Sequence, residues 1–230
     1  MPQLKLTVLS LRYSSWSMRP WLALTHAGAG FETNTVELES FETTTLTERR
    51  VLGSITGLFP ILRVDDVAIH ESLAIAEYAA ESFPEAMLWP ESGLQRARAR
   101  AICCEMVGDF SALRNEMTCH LFGRVPAFSP SDPARANIDR VFEIWTECLD
   151  RSAGPFLFGQ PSIADFFYFP VLSRFRTYGV ELTGTLEGYA QAIEYLPAVQ
   201  SLLEVAKTEP AIAVYDDYVA KLGGDPKATL

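Results

Sequence analysis

Ser14, Ser15 and Ser17 fall within four positions of the stretch RYSSWSMRPWLAL, residues 12–24. The cluster follows a strand-like alternation and precedes an apolar run, so it stands where a helix begins. There the first backbone N–H groups have no intrahelical acceptor and the macrodipole is positive, which suits an anion. A serine hydroxyl adds one donor of adjustable direction and carries no charge of its own at neutral pH. Serine is also a leading N-cap residue, and that reading accounts for one of the three hydroxyls. No GxSxG elbow accompanies the cluster, so the pattern speaks for donation to an anion and against a hydrolytic nucleophile.

A second stretch offers complementary groups. GLFPIL, residues 57–62, is followed by ESLAIAEY, in which Glu71 and Ser72 open another helix just after a hairpin. A carboxylate can be received there on the Ser72 backbone N–H and hydroxyl, while Glu71 can meet an ammonium, and together they suit an amino-acid head group. If the Phe59-Pro60 bond were cis, the Phe59 backbone would turn its N–H and C=O toward an extended peptide, as an added strand uses them.

These groups need a scaffold. LKLTVLS alternates Leu4, Leu6 and Val8 as a strand does, and a helix is expected over residues 15–26, ending at Gly28 and Gly30. FETNTVEL from Phe31 reads as a second strand and residues 41–50 as a polar segment. The run from Gly57 to Phe83 reads as strand, Asp65-Asp66 turn, strand and helix, with Pro60 at or just before the third strand. The order βαβ then ββα makes the first two strands parallel and the hairpin antiparallel.

FPEAMLWPESG, with Pro84, Pro90 and Gly93, reads as a link between residues 1–84 and an all-helical part, 92–230. The fold class is therefore α/β plus all-α. Residues 94–121 have helical composition with Gly108 as a bend, a loop over 125–133 precedes a helix to about Asp150, and apolar runs over 189–206 and 211–222 complete the bundle. Ser162 and Asp165 have N-cap and N3 spacing, a capping-box variant read as support for folding and not as catalytic.

A net charge of −10 argues against nucleic acid or an anionic membrane surface as partner, because both demand a basic face. Only a local positive site could hold an anion. Apolar runs are too short for a membrane span and the first residues lack a signal-peptide pattern, so a cytoplasmic protein is expected. Cys103, Cys104, Cys119 and Cys148 include no CxxC pair and read as free, partly buried thiols. His26, His70 and His120 are unclustered, so no metal site is expected. Arg96, Arg98 and Arg100 read as a solvated or subunit-facing stripe.

Taken in order, SSWSMR, FPIL, ES before the second helix and SIAD in the helical part resemble the cytosolic glutathione transferases over nearly the full chain, most closely the serine-bearing bacterial and zeta-type members. The resemblance implies a thioredoxin-like βαβ-ββα domain that binds glutathione and an all-helical domain that completes a site for a small electrophile. It implies Ser14 as the group hydrogen-bonding the sulfur of glutathione, with Ser15 the alternative one position on, and Ser17 as a further binding residue where relatives carry a second active-site cysteine. By the same resemblance Phe59 and Pro60 take the cysteinyl backbone of the tripeptide, Glu71 and Ser72 its γ-glutamyl end, and the protein is a homodimer.

Conjugation, a glutathione-dependent cis-trans isomerisation like that of maleylacetoacetate isomerases, and glutathione binding without catalysis all fit these motifs. With no cysteine at 14 or 17, disulfide exchange through an enzyme thiol is disfavoured. Tyr13, Trp16, Arg174, Arg176 and Tyr178 are candidate walls of an apolar pocket with a cationic tip; alternatively, Trp16 and Tyr178 pack the domain interface.

Overall fold

The computed structural model describes residues 2–36, 45–51 and 53–229. Strand β1 (Leu4–Val8) is central, with Leu4, Leu6 and Val8 buried. It pairs in parallel with β2 (Phe31–Thr35), Leu4 opposite Phe31, through the crossover helix α1 (Ser15–His26). On its other side it pairs antiparallel with β3 (Ile61–Val64), which turns at Asp65-Asp66 into β4 (Val67–His70), giving the sheet order β2-β1-β3-β4. Helix α2 (Leu46–Val51) lies within what reads in sequence as a polar segment, and α3 (Ser72–Ser82) follows the hairpin as expected. The predicted extension of the second strand through Glu37 and Leu38, and residues 41–44 of the polar segment, lie outside the described residues.

The helical part departs from expectation twice, each time at a backbone breaker. Gly108 ends α4 (Gly93–Gly108) instead of bending it; Phe110 adopts φ +60° and a separate α5 (Ser111–Glu116) begins. Arg114 donates from Nη1 to Met106 O (2.8 Å) and Val107 O (3.4 Å), satisfying carbonyls at the end of α4. The apolar run over 189–206 is split into α8 (Gly184–Glu194) and α9 (Pro197–Thr208), because proline favours a first helical turn and disfavours continuation. The remaining helices are α6 (Asp132–Asp150), α7 (Ile163–Tyr178) and α10 (Ala213–Lys221).

Helix α7 is the hub of the helical part. Fifteen of its sixteen residues are buried, so it has no solvent face, as expected of a helix apolar all round. The exception, Arg176, reaches out to Glu187 and Glu194 at 2.8–2.9 Å. One continuous core joins Leu6, Leu22 and Ile75 of the first part to Phe167, Leu172 and Leu202 of the second, and a smaller cluster of Leu9, Val36, Phe59 and Ile61 is also buried. All four cysteines are free; Cys104 is exposed and the others are buried. Arg98 and Arg100 of the α4 stripe pair with Glu147 and Glu77.

The start of α7 depends on Asp165. Its buried carboxylate accepts from the Ser162 N–H and hydroxyl, both at 2.8 Å, and from the Leu157 N–H at 3.1 Å. Asp165→Ala leaves two buried amides without an acceptor and is expected to lower stability by about 2–4 kcal/mol in urea titration. Burial pushes the Asp165 carboxyl up to about 6 from 3.8. The native state then binds this proton more tightly than the unfolded chain, so ionising Asp165 costs stability as pH rises from 4 to 6. Asp165→Asn should flatten that part of the stability–pH curve.

Candidate active site

The serine cluster opens on a cleft of about 570 Å³ walled by the sheet half on one side and by α4, α5, α7 and α10 on the other. Ser14 is the N-cap of α1, with φ −91° and ψ 97°, and its Oγ accepts the Ser17 N–H at 3.3 Å. Ser15 is the first helical residue, and its Oγ receives Nη2 of Arg174 at a long 3.5 Å. Both hydroxyls line the cleft and each retains its own proton for donation, since each accepts in these contacts. Ser17 departs from the sequence expectation. It is fully buried, does not line the cleft, and its hydroxyl accepts the Leu9 N–H at 3.2 Å, tying the helix back to the end of β1.

Phe59, Pro60, Glu71 and Ser72 line the same cleft, and the Phe59-Pro60 bond is cis. Glu71 precedes α3 with φ 70° and ψ 129°, a region that non-glycine residues rarely occupy, and its exposed carboxylate makes no cap to the helix. The Ser72 hydroxyl is already engaged. Pro20, inside α1, has no N–H, so the Trp16 carbonyl four residues earlier lacks its helical donor, and Ser72 Oγ supplies one at 2.9 Å. The Ser72 backbone N–H, at the first position of α3, has no intrahelical acceptor.

Two guanidinium groups lie over Trp16 and a third stands on the same cleft. Arg19 lies 4.3 Å from the Trp16 ring centroid and Arg114 5.4 Å, while Arg174 stands on the cleft wall. Arg19 is wholly buried; Nε donates to Phe167 O at 3.3 Å, Nη1 and Nη2 have no hydrogen-bond partner among the described residues, and Phe167 covers the cation at 5.0 Å. Burial, followed by repulsion from Arg174 and Arg114, lowers its pKa to about 9, which still leaves it charged at neutral pH. Arg174 donates to Met117 O at 2.7 Å and Pro170 O at 3.0 Å. Among the described residues none of the three forms an ion pair with a carboxylate. This end of the cleft is positive in a chain of net charge −10.

The other candidate walls divide. Arg176 is taken by Glu187 and Glu194, and Tyr178 is buried against Thr118 at 2.9 Å; neither lines the cleft. Tyr13 and Trp16 do line it. The Tyr13 phenol is turned away from the serines and donates to Asp216 at 2.7 Å, with Tyr215 stacked on its ring at 4.9 Å. Asp216 also receives His120 Nε2 at 2.9 Å, and because His120 Nδ1 accepts the Gly123 N–H, the imidazole is neutral with its proton on Nε2. Burial lowers the His120 pKa, in keeping with that form.

Arg114, Thr118 and Tyr215 were not legible as one site, since they lie on α5, the segment after it and α10. His70 also lines the cleft, its ring nitrogens without a hydrogen-bond partner among the described residues; only its position just before Glu71 could have drawn attention to it.

A βαβ-ββα sheet half with an anion-ready helix start, closed by an all-helical half, defines a thioredoxin-like protein with an appended helical domain. Residues 13–82 match the family model described as glutathione S-transferase, N-terminal domain, and residues 94–197 match the C-terminal domain model. The chain belongs to the glutathione S-transferase family, and glutathione is its co-substrate. A probable maleylacetoacetate isomerase of Caenorhabditis elegans is 28% identical over 74% of this chain and 78% of its own length. Glutathione S-transferase 1 of Dianthus caryophyllus is 25% identical over 86% and 85%. In fold, the chain resembles a glutathione transferase homolog from Burkholderia gl BGR1 solved with bound glutathione (TM-score 0.69, 23% identity, 90% of this chain and 100% of that one). A tau class enzyme from mango gives a TM-score of 0.67 at 18% identity, covering 96% and 98%.

The Glu71 backbone supplies a direct test of what this site costs the fold. Glycine adopts positive φ without steric penalty, so Glu71→Gly should raise stability by about 1 kcal/mol in thermal or urea unfolding.

Proposed function

We propose that this chain is a glutathione transferase in which the Ser14 hydroxyl donates a hydrogen bond to the sulfur of glutathione and holds it as thiolate, with Ser15 the alternative donor. The observation that carries this reading is the pair of cleft-lining hydroxyls at the N-terminus of α1, each accepting a hydrogen bond while keeping its own proton to give. A free thiol has a pKa near about 8.5 and is only about 3% thiolate at pH 7. Lowering that pKa by about two units takes ~2.7 kcal/mol and makes roughly three quarters of it reactive. A hydrogen bond to a charged acceptor contributes about 1.5–3 kcal/mol and a helix N-terminus about 0.3–1, so one serine and the helix suffice.

The rest of the cleft supports the tripeptide. The Phe59 backbone beside Pro60 takes the cysteinyl segment, the Ser72 N–H the γ-glutamyl carboxylate and Glu71 its ammonium. The thiolate then attacks an electrophile held against Trp16 and Tyr215, with the enzyme supplying proximity and alignment. Residues 1–84 form the glutathione-binding domain and 92–230 the domain that completes the electrophile site, in a cytoplasmic homodimer.

A second reading, glutathione-dependent isomerisation of an acid, is favoured by Arg114 and Arg174 in the cleft, which form no ion pair among the described residues, and by relatives named probable maleylacetoacetate isomerase. Glutathione is consumed by conjugation and returned unchanged by isomerisation, so its fate separates the two.

Ser14→Ala is expected to keep glutathione affinity within about threefold, raise the pKa of the bound thiol by about one to two units in ultraviolet titration, and lower turnover about 10- to 100-fold. The same losses in Ser15→Ala with Ser14→Ala unaffected would move the role to Ser15. Unshifted bound thiol in the wild type would favour binding without catalysis. A sedimentation profile at micromolar concentration should give a dimer.

A further inference from the structure

The loop that delivers the serines is held by a carboxylate from the far end of the chain. Glu209 follows α9, and its carboxylate accepts from Ser10 Oγ at 2.7 Å, from the Leu11 N–H at 2.8 Å, from the Arg12 N–H at 3.0 Å and from Thr35 Oγ1 at 3.3 Å. Ser10 Oγ in turn accepts the Arg12 and Tyr13 N–H groups at 3.0 and 3.2 Å, and Ser10 O accepts the Ser14 N–H at 3.2 Å. Residues 10–13 are each no more than 3% exposed, so water has little access to replace a lost acceptor. Glu209 does not line the cleft.

We infer that Glu209 is a positioning residue for thiolate activation, setting the direction of the Ser14 hydroxyl through Ser10 without touching glutathione. This rests on the glutathione reading above. Two buried amides and two hydroxyl protons converge on the carboxylate, and charge-assisted hydrogen bonds of this kind are the stronger and more directional ones. The only proton on Ser10 Oγ is given to Glu209, which orients the lone pairs toward the Arg12 and Tyr13 amides and closes the turn whose next residue is Ser14. A carboxylate is the group that can take all of these donors at once. An amide in its place would present N–H to N–H on one side.

The groups expected to carry glutathione's cysteinyl backbone and γ-glutamyl end lie on a different segment, residues 59–72. Displacing the serine loop should therefore alter the state of the sulfur more than the affinity for the peptide. In the full-length protein, Glu209→Gln should raise the bound-thiol pKa by about one unit and lower turnover at saturating glutathione about tenfold, with the dissociation constant for glutathione changed less than about threefold. Ser10→Ala should shift the thiol pKa in the same direction. The double variant should be no worse than the more severe single one, because both act through one chain of contacts.

Amide exchange at residues 11–13 gives a second readout, and faster exchange there in Glu209→Gln is expected whether or not ligand is bound. An unshifted thiol pKa and turnover in folded Glu209→Gln would overturn the inference, as would additive effects of the two substitutions. If Glu209→Gln fails to fold, Ser10→Ala decides in the same way. If the wild type takes up no glutathione, the functional reading fails; exchange at residues 11–13 then decides whether Glu209 holds this loop, and unchanged exchange overturns that too.

Discussion

Everything at the cleft depends on α1 being fixed along its length while its first turn stays open. Nine of its twelve residues are buried. It packs on α3 and on α7 and α9, and its core residues Met18, Leu22 and Ala23 are wholly inaccessible. A helix buried on both sides cannot rotate or slide without opening cavities in two layers, which is costly in an interior packed at crystal density. Its N-terminal amides and hydroxyls are therefore held in place for a ligand, and little reorganisation is left for the moment of binding.

The same burial creates polar obligations that the fold meets from distant segments. Pro20 deprives Trp16 O of a donor and Ser72 supplies it. The Leu11 and Arg12 amides, which leave the sheet and do not yet belong to a helix, find Glu209. Arg174 enters from a buried helix, satisfies two carbonyls and reaches Ser15. Arg19 is one case left unmet: among the described residues its Nη1 and Nη2 have no acceptor, and the cation lies against the Trp16 and Phe167 rings. Holding three cations together is electrostatically unfavourable, and repulsion from Arg174 and Arg114 adds to burial in lowering the Arg19 pKa.

Where local reading and structure part, the reason is a competition that one segment cannot reveal. Gly108 and Pro197 are breakers in either case, and whether they bend or end a helix depends on what the next turn packs against. Ser14, Ser15 and Ser17 look alike in sequence. A helix turns about 100° per residue, so Ser17 is carried round to the strand end and becomes structural. Arg174 and Arg176 sit two apart on α7 and face opposite ways for the same reason, one toward the serines and one toward Glu187 and Glu194.

Short-range pattern was enough for the βαβ-ββα order, the hairpin turn at Asp65-Asp66, the bounds of α1, the α7 cap at Ser162 and Asp165, and the family likeness carried by SSWSMR, FPIL, ES and SIAD. Each of these rests on periodicity, a cap or a turn residue, which are properties of neighbours in the chain. Only the tertiary structure decided that Glu209 grips the loop before Ser14, that Asp216 and His120 hold Tyr13, that Ser72 repairs the α1 proline defect, and that Arg19 and Arg114 flank Trp16 while Arg174 reaches Ser15. These contacts join residues as many as 203 positions apart. No local spacing encodes them; they exist because burying α7 and α1 against one another brings their surroundings within hydrogen-bonding distance.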